Sequence, residues 1–133
     1  MSSYVVDSSV AVEYLLKTPR GLAVGNVIGD AWLVAPELVD AEVLSVLRRE
    51  VLGGRLNPAR ARAVIEVISA WPLERIPHRV LAPLAWEHHR NVSAYDAFYV
   101  ATAQLYQLPL ITADGRLARA LESTAAVQYV HVG

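Results

Sequence analysis

The chain has 133 residues, no cysteine, and a net charge of −1 from 12 basic and 13 acidic side chains. That length suits one domain with a real core and is too short for two, and no repeat, low-complexity tract or Pro/Ser-rich linker divides it. Without cysteine, disulfides, Cys-ligated zinc and thiol catalysis are excluded. The opening "MSSYVVDSS" lacks a basic stretch followed by a long apolar one, so no signal peptide is expected. Every apolar run is too short to span a bilayer, and a soluble cytoplasmic protein is the expectation.

In chain order, the first element is a short buried strand, Tyr4–Val6, ended by Asp7. Ser8 and Ser9 follow as candidate helix caps, and a helical pattern begins. Thr18-Pro19 pairs an N-cap with proline at the first helical position, opening a second helix. Trp32–Val34 reads as the next strand. A helical hairpin spans roughly 37–52 and 58–70. It turns through "GGRLN", with Gly53-Gly54 ending the first arm and Asn57-Pro58 starting the second. Leu73–Ile76 is the third strand. Helices over 79–90 and 94–106 precede a fourth strand, Leu108–Ile111. A short helix over 115–122 and a last strand, Gln128–Val132, complete the pattern.

Strands alternating with helices predict an α/β fold with a mainly parallel sheet and helices on both faces. In such sheets the functional crevice lies beyond the carboxyl ends of the strands. Asp7 ends the first strand and Asp114 follows "LPLITAD" at the end of the fourth, so the two carboxylates are expected to share a crevice.

Two further acids invite the same reading. Glu42, in "APELVDAEVLSVLRRE", shares a helical stripe with Leu38, Ser45 and Arg49, beside the apolar side formed by Val39, Val43, Val46 and Leu47. Its competitor Asp40 points about 200° away on the same helix. Asp96, in "VSAYDAFYVATAQLY", falls in the first turn of a helix capped by Ser93, where a carboxylate complements the helix dipole. For any one of these acids alone, a surface carboxylate, a cap or an ion pair is the simpler reading. Together, four acids set beside apolar core segments require another account.

With "VVDSSV", "DAEVLSVLRR", "SAYDAFYVATA" and "LITADGRL" in this order, the sequence resembles the PIN-domain family, and within it the VapC-type toxins of toxin–antitoxin pairs. The resemblance covers essentially the whole chain. It implies a three-layer α/β/α sandwich with about five strands and a metal-dependent ribonuclease. It carries over Asp7, Glu42, Asp96 and Asp114 as the catalytic acids, with Asp7 and Asp96 as direct metal ligands. Ser8 and Thr112 match the family's supporting hydroxyl residues. It also implies an RNA substrate cut to leave a 5′-phosphate and a 3′-hydroxyl, a cognate antitoxin and a homodimer.

The residue chemistry agrees with a metal. Two unit charges 4 Å apart repel by about 4 kcal/mol at an effective dielectric of 20, and a divalent cation reverses the sign. All-oxygen ligands select Mg²⁺ or Mn²⁺ over zinc. Such an ion lowers the pKa of a bound water and neutralises phosphoryl charge.

Two rival readings remain open in the sequence. A receiver-like phospho-signalling module also has a strand-terminal aspartate, but it needs a lysine after a late strand, and Lys17 is the only lysine. A non-catalytic PIN scaffold would show a degraded acid set.

Among the other residues, His88 and His89 cannot form the i, i+4 pair of a helical zinc site. All four histidines are read as surface or structural. Trp32, Trp71 and Trp86 are expected in the core, and Tyr95 and Tyr99 as packing. Eleven of the 12 basic residues are arginines, a bias that coding in a GC-rich genome explains more simply than phosphate contact. Arg48, Arg49, Arg55, Arg60 and Arg62 on the hairpin fit a solvated face or an RNA rim equally well. Arg116, close after Asp114, is the best candidate for a phosphate contact. Finally, 54% hydrophobic residues and a mean hydropathy of +0.31 exceed what so small a domain buries alone, so another chain is expected to cover an apolar patch.

Overall fold

The computed structural model describes residues 2–124 and 127–133. Strands β1 (Ser3–Val6), β2 (Trp32–Pro36), β3 (Glu74–Ile76), β4 (Leu110–Thr112) and β5 (Tyr129–His131) form one sheet in the order β3-β2-β1-β4-β5. Every pairing is parallel. The helices are α1 (Ser8–Leu16), α2 (Pro19–Ile28), α3 (Leu38–Leu52), α4 (Pro58–Ala70), α5 (His78–Trp86), α6 (Ala94–Tyr106) and α7 (Gly115–Leu121).

Strand order and handedness together dictate the layers. From β1 the chain steps to β2 and β3 on one side, then returns across the sheet to β4 and β5. Right-handed crossovers therefore place α1–α4 on one face and α5–α7 on the other. The contacts agree: α1 packs on α2, α3 and α4, while α5 packs on α6. The central strands are covered on both sides, which is why β1 and β4 are continuous apolar runs without alternation. Val5, Val6, Leu110 and Ile111 are completely buried. No helix among the described residues is long and apolar enough to cross a membrane.

The elements follow the sequence reading with shifts at their ends, each with a local cause. The fourth strand begins at Leu110, two residues later than expected, because the Leu108 N–H still bonds the Ala103 carbonyl of α6 at 3.0 Å. The third strand begins at Glu74 because the Leu73 N–H turns back to the Trp71 carbonyl at 2.7 Å. The helix expected over 79–90 ends at Trp86. Beyond it the chain runs through tight turns, and His88 is buried with Nε2 2.8 Å from Gln104 Oε1.

Capping at α1 differs from the expectation that Ser8 or Ser9 would do it. Asp7 is the N-cap, with its Oδ1 accepting the Val10 N–H at 3.0 Å, and both serines lie inside the helix. The tryptophan reading also needs correction. Trp86 is 69% exposed and stacks on His89, and Trp32 is 38% exposed at the start of β2 against Tyr106. Only Trp71, stacked on Tyr14, is half-buried. A large apolar ring contributes area wherever it lies, so apolarity alone does not fix depth.

Candidate active site

In an open parallel sheet, the crevice forms where the strand order reverses. Here the reversal lies between β1, which ends immediately before Asp7, and β4, which ends at Thr112 two residues before Asp114. The sheet topology thus presents Asp7 and Asp114 at the same mouth.

Asp7 is only 4% exposed. One carboxylate oxygen accepts from the Ser9 hydroxyl at 2.6 Å and from the Val10 N–H, and the other accepts from the Thr112 hydroxyl. Ser9 is held in turn by the Ala113 N–H, which donates to its Oγ at 2.9 Å, and Thr112 Oγ1 accepts the Asp114 N–H at 2.9 Å. These bonds tie the first turn of α1 to the end of β4. Even so, burial pushes the Asp7 carboxyl up to about 6, and repulsion from Asp114 adds to the rise.

Glu42 projects from α3 and is half-buried. Its Oε1 accepts the Tyr99 hydroxyl at 2.6 Å, and the Ser8 hydroxyl also hydrogen-bonds it. Burial raises its carboxyl above the ordinary range, and the charge on Asp96 raises it further. The Tyr99 phenol, buried and donating to a carboxylate, is pushed well above its usual value. Asp40, the competitor of Glu42, pairs with Arg75 through two bonds of 2.8 and 3.0 Å and takes no part.

Asp96 lies in the first turn of α6. Ser93 supplies the cap, accepting the Asp96 N–H at 3.2 Å, so the Asp96 carboxylate is not used as the cap. That carboxyl is also raised, first by burial and then by repulsion from Asp114. Asp114 caps α7, with Oδ1 accepting the Arg116 and Leu117 N–H groups at 2.9 and 3.3 Å. The Arg116 guanidinium reaches both acids, with Nη2 3.5 Å from Asp96 Oδ2 and from Asp114 Oδ2.

Like-charge repulsion therefore runs in an unbroken chain from Asp7 to Asp114, to Asp96, to Glu42. Four segments distant in sequence deliver four carboxylates to one mouth. Among the described residues no three of them close into a ready cage for an ion. The donor set is all oxygen, its charges repel one another, and one arginine spans only two of them. Such a set suits a hard divalent cation that retains waters in its shell.

The model for the PIN domain matches residues 4–122, from the strand before Asp7 to the end of α7. The chain belongs to the PIN domain family. Its curated relatives include ribonuclease VapC1 of Mycobacterium tuberculosis, 36% identical over 122 residues, spanning 90% of this chain and 92% of the relative. Ribonuclease VapC9 of the same species is 38% identical over 113 residues, spanning 85% and 87%. Among solved structures, VapBC-5, a toxin–antitoxin member from M. tuberculosis, aligns with a TM-score of 0.61 at 25% identity over 99% of this chain and 100% of that one. PAE2754 of Pyrobaculum aerophilum aligns with a TM-score of 0.66 at 24% identity, over 97% and 90%, and shares the fold.

This PIN domain is not a receiver module. Receiver-like sheets run 2-1-3-4-5, whereas this one runs 3-2-1-4-5. Lys17 lies at the far end of α1 from Asp7, about 15 Å along the helix axis.

Two site residues escape the sequence reading. Ser9, not Ser8, holds Asp7, because the Asp7 cap turns position 9 back under the carboxylate. Tyr99 is more than packing, because its hydroxyl anchors Glu42. Tyr99→Phe deletes that bond and leaves a half-buried carboxylate with one donor fewer. A loss of about 1–2 kcal/mol in urea unfolding is expected. A change under about 0.3 kcal/mol would mean that the bond contributes nothing to positioning Glu42.

Proposed function

We propose that the chain is a metal-dependent endoribonuclease and the toxin of a toxin–antitoxin pair. The carrying observation is the placement of Asp7 and Asp114 at the switch point of the sheet, with Asp96 sharing Arg116 with Asp114 and Glu42 held nearby by Tyr99. The ribonuclease names of its relatives support the substrate class.

In this reading Asp7 and Asp96 bind Mg²⁺ or Mn²⁺ directly, and Glu42 and Asp114 act directly or through water. The bound ion supplies a water of lowered pKa and neutralises charge on the phosphoryl group. The chain's own residues hold these groups in place. Ser9 and Thr112 fix Asp7, and Tyr99 and Ser8 fix Glu42, as outer partners of metal ligands commonly do. Arg116, with its side chain 69% exposed, leans over Asp96 and Asp114 where a phosphate would arrive. A complete acid set argues against a non-catalytic scaffold.

The partners follow from the apolar surface. Leu44, Leu52 and Ile65 line an exposed groove between α3 and α4. We assign such surface to an antitoxin segment and to a second copy of the chain, in keeping with the toxin–antitoxin assembly named for VapBC-5.

The products provide the test. Hydrolysis by a metal-activated water should leave fragments with a 5′-phosphate and a 3′-hydroxyl. These ends are ligatable and are not labelled by kinase without prior phosphatase treatment. Fragments carrying 2′,3′-cyclic phosphates would contradict the proposed mechanism.

A further inference from the structure

The first turn of α6 separates two unlike clefts. On one side, Arg90, Asn91, Ser93 and Arg116 enclose about 290 Å³, with Asp96 on the wall. On the other, a groove of about 930 Å³ runs from Ser8 and Glu42 along Leu38, Val46, Tyr95 and Phe98. Tyr95 is 67% exposed, which corrects its reading as a packing residue. The side chains of Arg90 and Tyr95 have no hydrogen-bond or ion-pair partner among the described residues.

The two clefts differ in what they accept. The small one offers Arg90, which has no acidic partner among the described residues, beside Arg116, which faces Asp96 and Asp114 at 3.5 Å, and it has no exposed ring. It suits a phosphate, for which arginine is a bidentate donor. The large one is bordered by Glu37, Asp40 and Glu42 against Arg49, so it disfavours a phosphate. Its apolar and aromatic lining suits the face of a base, which stacks on aromatic rings without regard to sequence. A base reaches such a groove only when it is unpaired, so duplex RNA is a poor fit.

We propose that single-stranded RNA crosses the first turn of α6 at Asp96. A phosphate next to the scissile one sits between Arg90 and Arg116, and a neighbouring base stacks on Tyr95. This rests on the ribonuclease reading and adds the strand's path and two contacts, Arg90 and Tyr95.

The test uses the full chain carrying Asp7→Asn, so that RNA is bound but not cut. Binding of a labelled single-stranded oligoribonucleotide is followed by fluorescence anisotropy. Tyr95→Ala should weaken binding about fivefold or more, and Tyr95→Phe should recover most of it. Removing one base at a time along the oligonucleotide should find a position where the parent loses affinity and Tyr95→Ala does not. Arg90→Gln should weaken binding and reduce the salt slope by about 0.7, the release expected for one single-strand phosphate. Both side chains are exposed, so melting temperatures should match the parent's and exclude misfolding. Binding within twofold of the parent for both Tyr95→Ala and Arg90→Gln would overturn the proposal, as would variants impaired only in binding a partner protein. The ribonuclease reading fails separately, if the chain with Asp7 intact cuts no RNA.

Discussion

Replacing Asp7 with asparagine is expected to lower RNA cleavage by at least about a hundredfold while the protein stays folded. Outer partners of metal ligands typically change affinity or activity by about 10- to 100-fold when removed, and a direct ligand should exceed that. Fold and function separate at this residue because Asp7 has two roles. As the N-cap of α1 it accepts the Val10 N–H, and asparagine caps about as well as aspartate. Its charge is a liability to the metal-free fold, since it is buried and lies close to Asp114. The variant keeps the shape and the cap but loses the charge that a cation requires. Circular dichroism, with cleavage measured on the same sample, distinguishes the two roles. Loss of the folded signal would show that the cap dominates, and cleavage at the wild-type rate by folded variant would remove Asp7 from the site.

The second large effect is on stability as a function of pH, in chelator. The Asp7 carboxyl sits at about 6 in the folded chain, above its unfolded value near 3.8. Below about pH 4 the group is protonated in both states and contributes nothing. Between about pH 4 and 6 it ionises in the unfolded chain but resists ionisation in the folded one, so stability falls as pH rises. Above pH 6 the full penalty of about 3 kcal/mol applies. Glu42 and Asp96 are raised in the same direction and act with the same sign. Asp7→Asn lacks the largest part, so its stability relative to wild type should grow by up to about 3 kcal/mol from pH 4 to pH 7. Saturating Mn²⁺ at pH 7 should restore wild type by mass action and help the variant much less. Urea unfolding of both proteins across this range measures the difference. A difference that stays constant with pH would mean that Asp7 ionises freely in the fold.

Much of this site is legible in the sequence, for physical reasons that also set the limit. Asp7 and Asp114 stand out because each follows a short apolar strand, and strand ends in a parallel sheet share one edge. Glu42 stands out from Asp40 through helical spacing, and the Asp40–Arg75 pair agrees with that choice. What stays hidden depends on contacts between distant segments. Tyr99 and Glu42 are 57 residues apart, and nothing local distinguishes a tyrosine that packs from one that also donates to a carboxylate. His78 is a similar case: its Nε2 accepts the Leu38 N–H at 2.9 Å and starts α3 from 40 residues away. The role of Ser9 is hidden by one step of register, because an N-cap at Asp7 and one at Ser8 read alike in "VVDSSV". Trp86 and Tyr95 lie on the surface against expectation, because an aromatic ring in an apolar segment need not face the core.

The central claim is that the four carboxylates hold a divalent cation and cut RNA with it. It is tested most directly by stripping purified protein with chelator and following cleavage of single-stranded RNA as Mn²⁺ is titrated back. The account predicts no cleavage in chelator, a rate that rises with Mn²⁺ and saturates, and no recovery at any Mn²⁺ concentration for Asp7→Asn. Undiminished cleavage in excess chelator would contradict it.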